Sequence, residues 1–511
     1  MKPSTELFAL IKSMSKSEKR FFKLNSAIQS GEKNYLKIFD FIEKLGSYDE
    51  EQLKHHFKDE TFVKHLPSEK NHLYKLILKS LRSYYSDQTV STQLKEEIKN
   101  VEVLYNKALY QECSKFIKRA KRIAQDYEKF YYQFELISWE KRLLEESYKT
   151  TNFDDILKKV IEEEAEVISK LRNLAEYQIL FSKINALFRS GGFTKNEEER
   201  ALVNEIANHP LIRGKNTALS KRAASICYYI KGLCAATNRD YLASNLFFSK
   251  TKEILDNNEK LKLDLGKQYI ETLFHLMRCN LDAGDFATAQ KRLDEIRGLF
   301  QTKGFKSIDL ALKIRSVCVN EQLIIFNRQG DFESAILFLE KEENLLKPFE
   351  EKFSKDHQLQ LLFNTSYAHF GNGEFKKALF FLNELLNNFE QHVRQDIYNF
   401  ARILNLLIHF ELNNTDLLEY EIISINRFIR KTKRDYNIET ILIKYIRKII
   451  RTNATDEHKV LFERLYQEME QLFENHQETV ILEYVDVFSW VESKIKKTTF
   501  DKLVQKNQER K

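Results

Sequence analysis

Glycine and proline are scarce in this chain, whose 511 residues include 13 glycines and 4 prolines. Average usage would give about 36 and about 26. Turns between strands are built mainly from glycine, proline, asparagine and aspartate. The scarcity therefore excludes a β-sandwich, barrel or propeller and argues against an α/β enzyme with glycine-rich phosphate loops. With 42% hydrophobic and 31% charged residues, the composition is typical of a large, almost wholly helical globular protein.

Cysteine pairs, targeting segments and catalytic motifs are lacking as well. The five cysteines are scattered without a C-x-x-C pair, a pattern typical of buried thiols in a reducing cytoplasm. No secretory signal is evident, and no apolar stretch approaches the length that spans a membrane. No phosphate-loop, nucleophile-elbow, H-E-x-x-H or EF-hand motif occurs. We therefore expect a cytoplasmic, non-enzymatic protein with no cofactor, no metal and no membrane partner.

A repeat with a period of about 44 residues is present instead. Each copy has a breaker or polar residue, an acid, an aromatic residue and, three residues later, a small side chain. The strongest copies are Arg239-Asp240-Tyr241 with Ser244, Gly284-Asp285-Phe286 with Ala289, Gly330-Asp331-Phe332 with Ala335, and Gly373-Glu374-Phe375 with Ala378. The weaker copies are Tyr110 with Cys113, Asn152-Phe153, Gly192-Phe193 and Asp416-Leu417.

Each part of the repeat has a mechanical role at a turn between two helices. The glycine adopts the left-handed conformation that ends the first helix. The acid caps the second helix by accepting its unpaired N–H groups. The aromatic residue fills the corner, and the small residue lets the helices approach closely. The pattern predicts about eight hairpins of two helices, each helix about 19 residues long.

At these residues the chain resembles the tetratricopeptide-repeat superfamily. Tyr228, Gly232, Tyr241, Ser244 and Phe248 match the family pattern in full, although the closing proline is missing and the period is longer than the family's usual one. The resemblance implies an all-α, superhelical solenoid. It also implies that the first helices line a concave face that binds a peptide or protein. Transferred onto this chain, the positions that would line this groove are Tyr229, Phe274, Arg278, Asn320, Asn327, Arg328, Phe363 and Tyr367.

The segments on either side of the repeats do not follow the period. We expect residues 1–90 to form a helical module, which serves as a cap or a docking domain, residues 91–435 to form the repeat solenoid, and residues 436–511 to form a C-terminal helical cap with a frayed tail. In the first segment, Ser15 with Glu18 and Ser47 with Glu50 have the spacing of capping boxes. The helices predicted there are 15–29, 33–45, 48–58 and 68–86.

Two basic stripes lie near the end of the repeats. They consist of Arg427, Arg430, Lys431 and Arg434, followed by Lys444, Arg447, Lys448 and Arg451. Each set has the spacing i, i+3, i+4, i+7 that places it on one helix face. A solvated face explains such stripes, and so does an anionic partner such as nucleic acid or an acidic peptide.

Two hypotheses for function follow. The first is a protein-interaction scaffold or adaptor that binds a peptide or protein on the concave face of the repeats. The alternative is a transcriptional or nucleic-acid-associated regulator, with an N-terminal effector module, a repeat array as sensor and the basic stripes in contact with nucleic acid.

Overall fold

A computed structural model describes residues 3–27, 34–85, 89–146, 153–189, 194, 197–302, 304–346, 353–388, 394–432, 437–452, 455–474 and 478–508. The regular structure within these ranges is entirely helical, as the composition predicts. None of the helices in these ranges combines the length and the apolar run needed to cross a bilayer.

The chain divides into two compact units, residues 1–167 and 168–511. The dividing point falls inside a long helix, α9. The three segments predicted from the repeat register remain a prediction. In the first unit the helices are α1 (Pro3–Ser13), α2 (Lys16–Ala27), α3 (Asn34–Lys44), α4 (Glu50–His56), α5 (Leu66–Tyr84), α6 (Val90–Asn106), α7 (Tyr110–Asp126), α8 (Phe130–Glu146) and the first part of α9 (Phe153–Arg189).

The second unit contains the rest of α9 and the remaining helices. These are α10 (Glu197–Asn208), α11 (Pro210–Arg213), α12 (Lys221–Thr237), α13 (Tyr241–Asp256), α14 (Glu259–Asp264), α15 (Gly266–Asp282), α16 (Phe286–Gly298), α17 (Ile308–Gln329), α18 (Phe332–Leu346), α19 (Lys355–Gly371), α20 (Phe375–Asn388), α21 (Gln395–Glu411), α22 (Thr415–Thr432), α23 (Asn437–Ile450), α24 (Thr455–Phe473), α25 (Val487–Lys496) and α26 (Phe500–Gln508). A 3-10 helix (Glu478–Glu483) connects α24 to α25.

Helical hairpins dominate the second unit. Neighbouring pairs α12–α13, α15–α16, α17–α18, α19–α20 and α21–α22 pack along their length. Successive first helices also touch, since α15 contacts α17, α17 contacts α19, and α19 contacts α21. The alternation of first and second helices follows the predicted repeat.

The predicted turn chemistry is confirmed. Gly284, Gly330 and Gly373 all have positive φ, between 73° and 78°. The carboxylates of Asp240 and Asp285 each accept a backbone N–H three residues ahead, at 3.0 Å. Side chain and backbone therefore cooperate to end one helix and start the next.

Close approach within a hairpin also follows the prediction. The hydroxyl of Ser244 on α13 donates to the backbone carbonyl of Gly232 on α12 at 3.2 Å. A Cβ atom at position 232 would lie 2.8 Å from the ring of Phe248, which is fully buried. Small residues at 232 and 244 are thus required for the two helices to pack at this distance.

One expected hairpin is wrong. The repeat pattern predicts two helices of about 19 residues after Phe153. The structure instead has α9, a single helix of 37 residues. Its sequence contains neither glycine nor proline, so nothing interrupts the hydrogen-bonded ladder. The flanking repeat residues Asn152, Gly192 and Phe193 lie outside the described residues.

The last repeat has a different register from the one predicted. Asn413 takes the left-handed conformation with φ 54°, and α22 begins at Thr415. The turn position that is aromatic in other repeats is therefore Thr415 rather than Leu417. The absence of glycine and of an aromatic residue at this turn explains why the pattern was misplaced by two residues.

The helices α2 to α5 match the four predicted N-terminal helices to within two residues at each end, whereas α1 was not predicted. The Ser15–Glu18 capping box is confirmed, because each residue's backbone N–H is bonded by the other's side chain. The Ser47–Glu50 box is wrong: Asp49 caps α4 and accepts from two backbone N–H groups. A core that includes Phe22, Phe39 and their apolar neighbours holds α1 to α5 together.

Candidate functional site

The first helices of the second unit line a groove with a volume of about 940 Å³. Side chains from α9, α12, α15, α17 and α19 form most of its wall. Glu483, the last residue of the 3-10 helix, and Tyr484, which follows it, also line the groove. The groove therefore lies on the helices that the repeat pattern assigned to a ligand-binding face.

A histidine and a tyrosine form part of the wall. His275 on α15 shares a hydrogen bond with the hydroxyl of Tyr229 on α12, with the two atoms 3.0 Å apart. The imidazole stacks on Phe248, with ring centroids 4.6 Å apart. Burial, reinforced by nearby Lys313 and Arg278, lowers the pKa of His275 to about 3. The ring is therefore neutral near pH 7.

Ion pairs connect neighbouring helices along the groove. Lys313 on α17 binds Glu271 on α15 at 2.5 Å. Arg278 binds Glu321 at 3.1 Å, where burial of the carboxylate raises its pKa against the influence of the arginine. These charges hold the walls together and present a mixed polar surface to the groove.

A third ion cluster lies where α19 and α21 meet the groove. Arg394 binds Asp356 at 2.7 Å and the fully buried Asp396 at 2.6 Å. Despite burial, the paired guanidinium keeps the pKa of Asp396 below its ordinary value. The cluster fixes the start of α21 against that of α19.

The C-terminal part of the chain packs against these same helices. Arg239 binds Glu483, Tyr484 donates to Asp396 at 2.6 Å, and the backbone N–H of Asp486 donates to the hydroxyl of Tyr367 at 3.0 Å. Trp490, just beyond, is buried against the rings of α21 and α24. The segment is thus a built-in part of the wall rather than a loosely attached tail.

The structure separates the eight predicted groove residues into three sets. Tyr229, Phe274 and Arg278 line the large groove. Asn327, Arg328 and Tyr367 line a smaller cavity of about 310 Å³ that the C-terminal segment covers.

The other two predicted positions are occupied by internal contacts. Asn320 is buried and donates to the backbone carbonyl of His357 at 3.3 Å. Phe363 is buried with its ring against Tyr484. Both side chains are used in joining one layer of the fold to the next, so they have little surface to offer a ligand.

Several groove residues were missed by sequence reasoning. Phe181, Phe188 and Arg189 come from α9, whose second half acts as a first helix. The weak repeat copy Gly192-Phe193 carries the signal for them, because Phe181 stands 12 residues before Phe193, as Tyr229 stands before Tyr241. The contribution of Glu483 carries no such signal, because it arises from a contact between distant parts of the chain.

The basic stripes are only partly within the described residues. Arg427 on α22 is exposed, as are Lys444, Arg447, Lys448 and Arg451 on and just after α23. Arg434 and the side chains of Arg430 and Lys431 lie outside the part of the chain that the structure describes. Arg447 and Arg451 both approach Glu419 on α22, at 3.7 Å and 2.8 Å.

The thiols lie in the interior of the fold. All five cysteines are buried and unpaired by disulfides, and burial raises the pKa of Cys234 to about 12. Within the described ranges, no group of three or more histidine, cysteine, aspartate or glutamate side chains is placed to hold a metal ion.

Comparison with known proteins adds no assignment. No model of a known protein family matches the chain, and no curated protein matches it significantly.

Proposed function

We propose that this protein is a non-enzymatic, cytoplasmic scaffold or adaptor, and that the large groove of its second unit binds a peptide or protein segment. The observation that carries the proposal is the groove itself. It is lined by the first helices of consecutive hairpins and contains three of the residues assigned from the repeat pattern, Tyr229, Phe274 and Arg278. Five buried cysteines without disulfides are consistent with the cytoplasm.

The proposed architecture is an α-solenoid similar to tetratricopeptide repeats. Consecutive hairpins with left-handed turn residues and direct contacts between first helices support it. In such stacks the first helices share one face, and a long ligand contacts several repeats at once.

The chemistry of the groove suits a peptide. Partly buried aromatic rings such as Phe181 and Phe274 offer apolar contacts. Ion pairs such as Lys313–Glu271 offer both a donor and an acceptor at the surface. The chain's own C-terminal segment shows the kind of contact that these helices make, since a backbone N–H binds Tyr367 and a carboxylate binds Arg239. Extended peptides bind through this combination of main-chain hydrogen bonds and side-chain pockets.

The alternative regulator hypothesis rests on the exposed cations of α23. Lys444, Arg447, Lys448 and Arg451 form one exposed basic face. The carboxylates of Glu419 and Glu468 approach this face, and they weaken its attraction for phosphate. We therefore favour the scaffold.

The proposal is tested by capturing the tagged protein from the lysate of its own cells, with and without nuclease. Three forms are compared: wild type, Phe274→Ala in the groove, and Leu246→Ala. Leu246 is 55% exposed on the second helix α13 and is not among the groove-lining residues, so it is a matched control. We expect wild type and Leu246→Ala to retain captured proteins after nuclease treatment, and Phe274→Ala to lose them. Loss of all captured proteins on nuclease treatment would favour the regulator.

A further inference from the structure

An apolar stripe on α22 faces solvent. Leu417, Tyr420 and Ile423 are 52%, 74% and 51% exposed. Their spacing of three residues places them on one side of the helix. The opposite side of α22 carries Leu418 and Ile422, which are buried in the core. The stripe is therefore additional to the apolar face that the fold requires.

Exposure of a contiguous apolar stripe to water is energetically unfavourable, and a partner that covers it would remove this penalty. Soluble proteins scatter exposed apolar residues singly, whereas contiguous patches mark interaction sites. The position five residues after the first residue of a second helix is apolar in four hairpins, where it is occupied by Leu246, Leu337, Phe380 and Tyr420. All four are exposed, but α22 adds two further exposed apolar side chains beside its own.

A basic face adjoins this stripe. Glu419, next to Tyr420, contacts Arg447 and Arg451 of the neighbouring α23. Ile423 lies one helical turn after Glu419, on the same flank of α22. The apolar stripe therefore runs directly beside the cations of α23.

Charges of both signs lie around the stripe, and four of the five exposed cations are on or just after α23. The exposed cations are Arg427, Lys444, Arg447, Lys448 and Arg451. The described carboxylates among them are those of Asp416, Glu419, Glu421 and Glu468. The cations on α23 lie on one side of the apolar stripe rather than around it, so the surface has an apolar half and a basic half.

We propose that this α22–α23 surface, comprising Leu417, Tyr420 and Ile423 with the cations of α23, binds an acidic amphipathic helix of a partner protein. The apolar side of that helix packs on α22, and its carboxylates pair with α23. Amphipathic helices are recognised by apolar anchors at i, i+3, i+4 and i+7 spacing, and complementary charges then fix their orientation. This inference does not depend on the groove.

Nucleic acid fits the same surface less well. Aromatic residues bind single strands by base stacking, and of the three apolar residues only Tyr420 has a ring, so Leu417 and Ile423 would gain nothing from such a complex. The apolar half would remain exposed in a complex made through phosphates alone.

The test uses the full-length protein and defined probes in fluorescence anisotropy. The first probe is a labelled helical peptide of about 18 residues, which is five helical turns. It has leucines on one face and glutamates on the other. The second has the same composition in scrambled order, the third replaces glutamate with lysine, and the fourth is a single-stranded DNA. We expect the acidic amphipathic peptide to bind at least about tenfold more tightly than the other three.

Two variants locate the site. Tyr420→Glu combined with Ile423→Glu should weaken binding of the acidic peptide by about tenfold or more, because it removes the apolar anchors and adds repulsion. Leu246→Glu, at the equivalent repeat position on α13, should leave it unchanged. All the substituted side chains are exposed, and circular dichroism checks that both variants are folded.

Four results would overturn the proposal. They are equal binding of the scrambled peptide, preferential binding of the DNA, no binding of any probe, or equal effects of the two variants. A fifth is a wild-type dimer in light scattering that the Tyr420→Glu, Ile423→Glu variant abolishes, because the occupant of the surface would then be a second copy of the chain.

Discussion

The guanidinium group of Arg239 donates to the carboxylate of Glu483 at 2.6 Å across 244 residues of chain. The same guanidinium donates to the hydroxyls of Tyr241 and Thr479, each at 3.0 Å. Arg239 is itself the left-handed turn residue of the first strong repeat, with φ 61°. Its side chain thus holds the C-terminal segment against the groove. The next three repeats have glycine at this position, whereas Arg239 combines the turn conformation with contacts to the C-terminal segment.

Removal of this arginine should loosen the C-terminal segment. In Arg239→Ala the carboxylate of Glu483 keeps the hydroxyl of Tyr241 as a donor but loses its charged partner. Burial and the nearby Asp282, which raise its pKa, still act against its charge. We expect a loss of about 2 kcal/mol in the free energy of unfolding, since hydrogen bonds to charged groups contribute on that order and this pair is partly exposed. Hydrogen exchange should also accelerate in residues 478–486.

The matched control is Arg172→Ala. Arg172 is 81% exposed and pairs with Glu176 one turn away on the same helix, so its removal should change stability by less than about 0.5 kcal/mol. Similar losses in the two variants, measured by urea unfolding, would show that the Arg239–Glu483 contact has no special role.

The glycines at the repeat turns should differ in their tolerance of alanine. A Cβ at Gly284 meets nothing within 4 Å, so the cost of Gly284→Ala is that of the left-handed backbone, about 1 kcal/mol. A Cβ at Gly330 would lie 3.1 Å from the backbone of Asp501 and of Gln505 on α26. Gly330→Ala should therefore lower the free energy of unfolding by about 2 kcal/mol or more. Equal losses in urea unfolding would contradict the close approach of α26.

Alanine in place of Gly232 should destabilise the hairpin that supports the groove. The added methyl group would press on Phe248, which stacks on His275, and overpacking of a core typically costs 1–3 kcal/mol. A Cβ at Gly298, at the end of α16, would meet nothing within 4 Å, so Gly298→Ala should stabilise the protein by a few tenths to about 1 kcal/mol. Thermal unfolding of the two variants should shift in opposite directions, and a shift in the same direction would contradict this account.

His275 should make the protein less stable in mild acid. Its folded pKa of about 3 lies below the ordinary value of 6.5. The unfolded chain therefore binds a proton near pH 6.5 that the folded chain does not bind. The contribution is complete above that pH and is lost as the pH falls toward 3. One such group lowers the free energy of unfolding by about 2 kcal/mol between pH 7 and pH 5.

The comparison of wild type with His275→Gln isolates this contribution from those of the other histidines and carboxylates. We expect the variant to be less stable at pH 7 but to lose about 2 kcal/mol less than wild type between pH 7 and pH 5. Identical losses in urea unfolding at the two pH values would mean that His275 is not held neutral by the fold.

The features predicted successfully from the sequence are local ones. Gly284 and Asp285 specify a turn through their own backbone and side-chain preferences, which act over a few residues. The same reasoning found the Ser15–Glu18 box. It failed at Asn413, where asparagine takes the glycine position without the usual aromatic partner, and in α9, where no residue marks an interruption.

The parts of the site that escaped prediction depend on contacts between distant segments. Neither Arg239 nor Glu483 has a neighbouring sequence that indicates a partner. The burial of Asn320 and Phe363 is also set by what packs on them, namely the start of α19 and Tyr484. A repeat pattern specifies which helix face a residue lies on, but the extent of its exposure depends on the more distant segments that pack against it.

The most direct test of the groove's role is site-specific photocrosslinking in the protein's own cells. A photoreactive phenylalanine analogue is placed at Phe274 inside the groove or at Leu246 on α13, and crosslinked products are identified by mass spectrometry. The account predicts that position 274 crosslinks reproducibly to a defined segment of another protein and that position 246 does not. Absence of a protein crosslink at 274, or the same crosslinks at both positions, would contradict a peptide-binding groove.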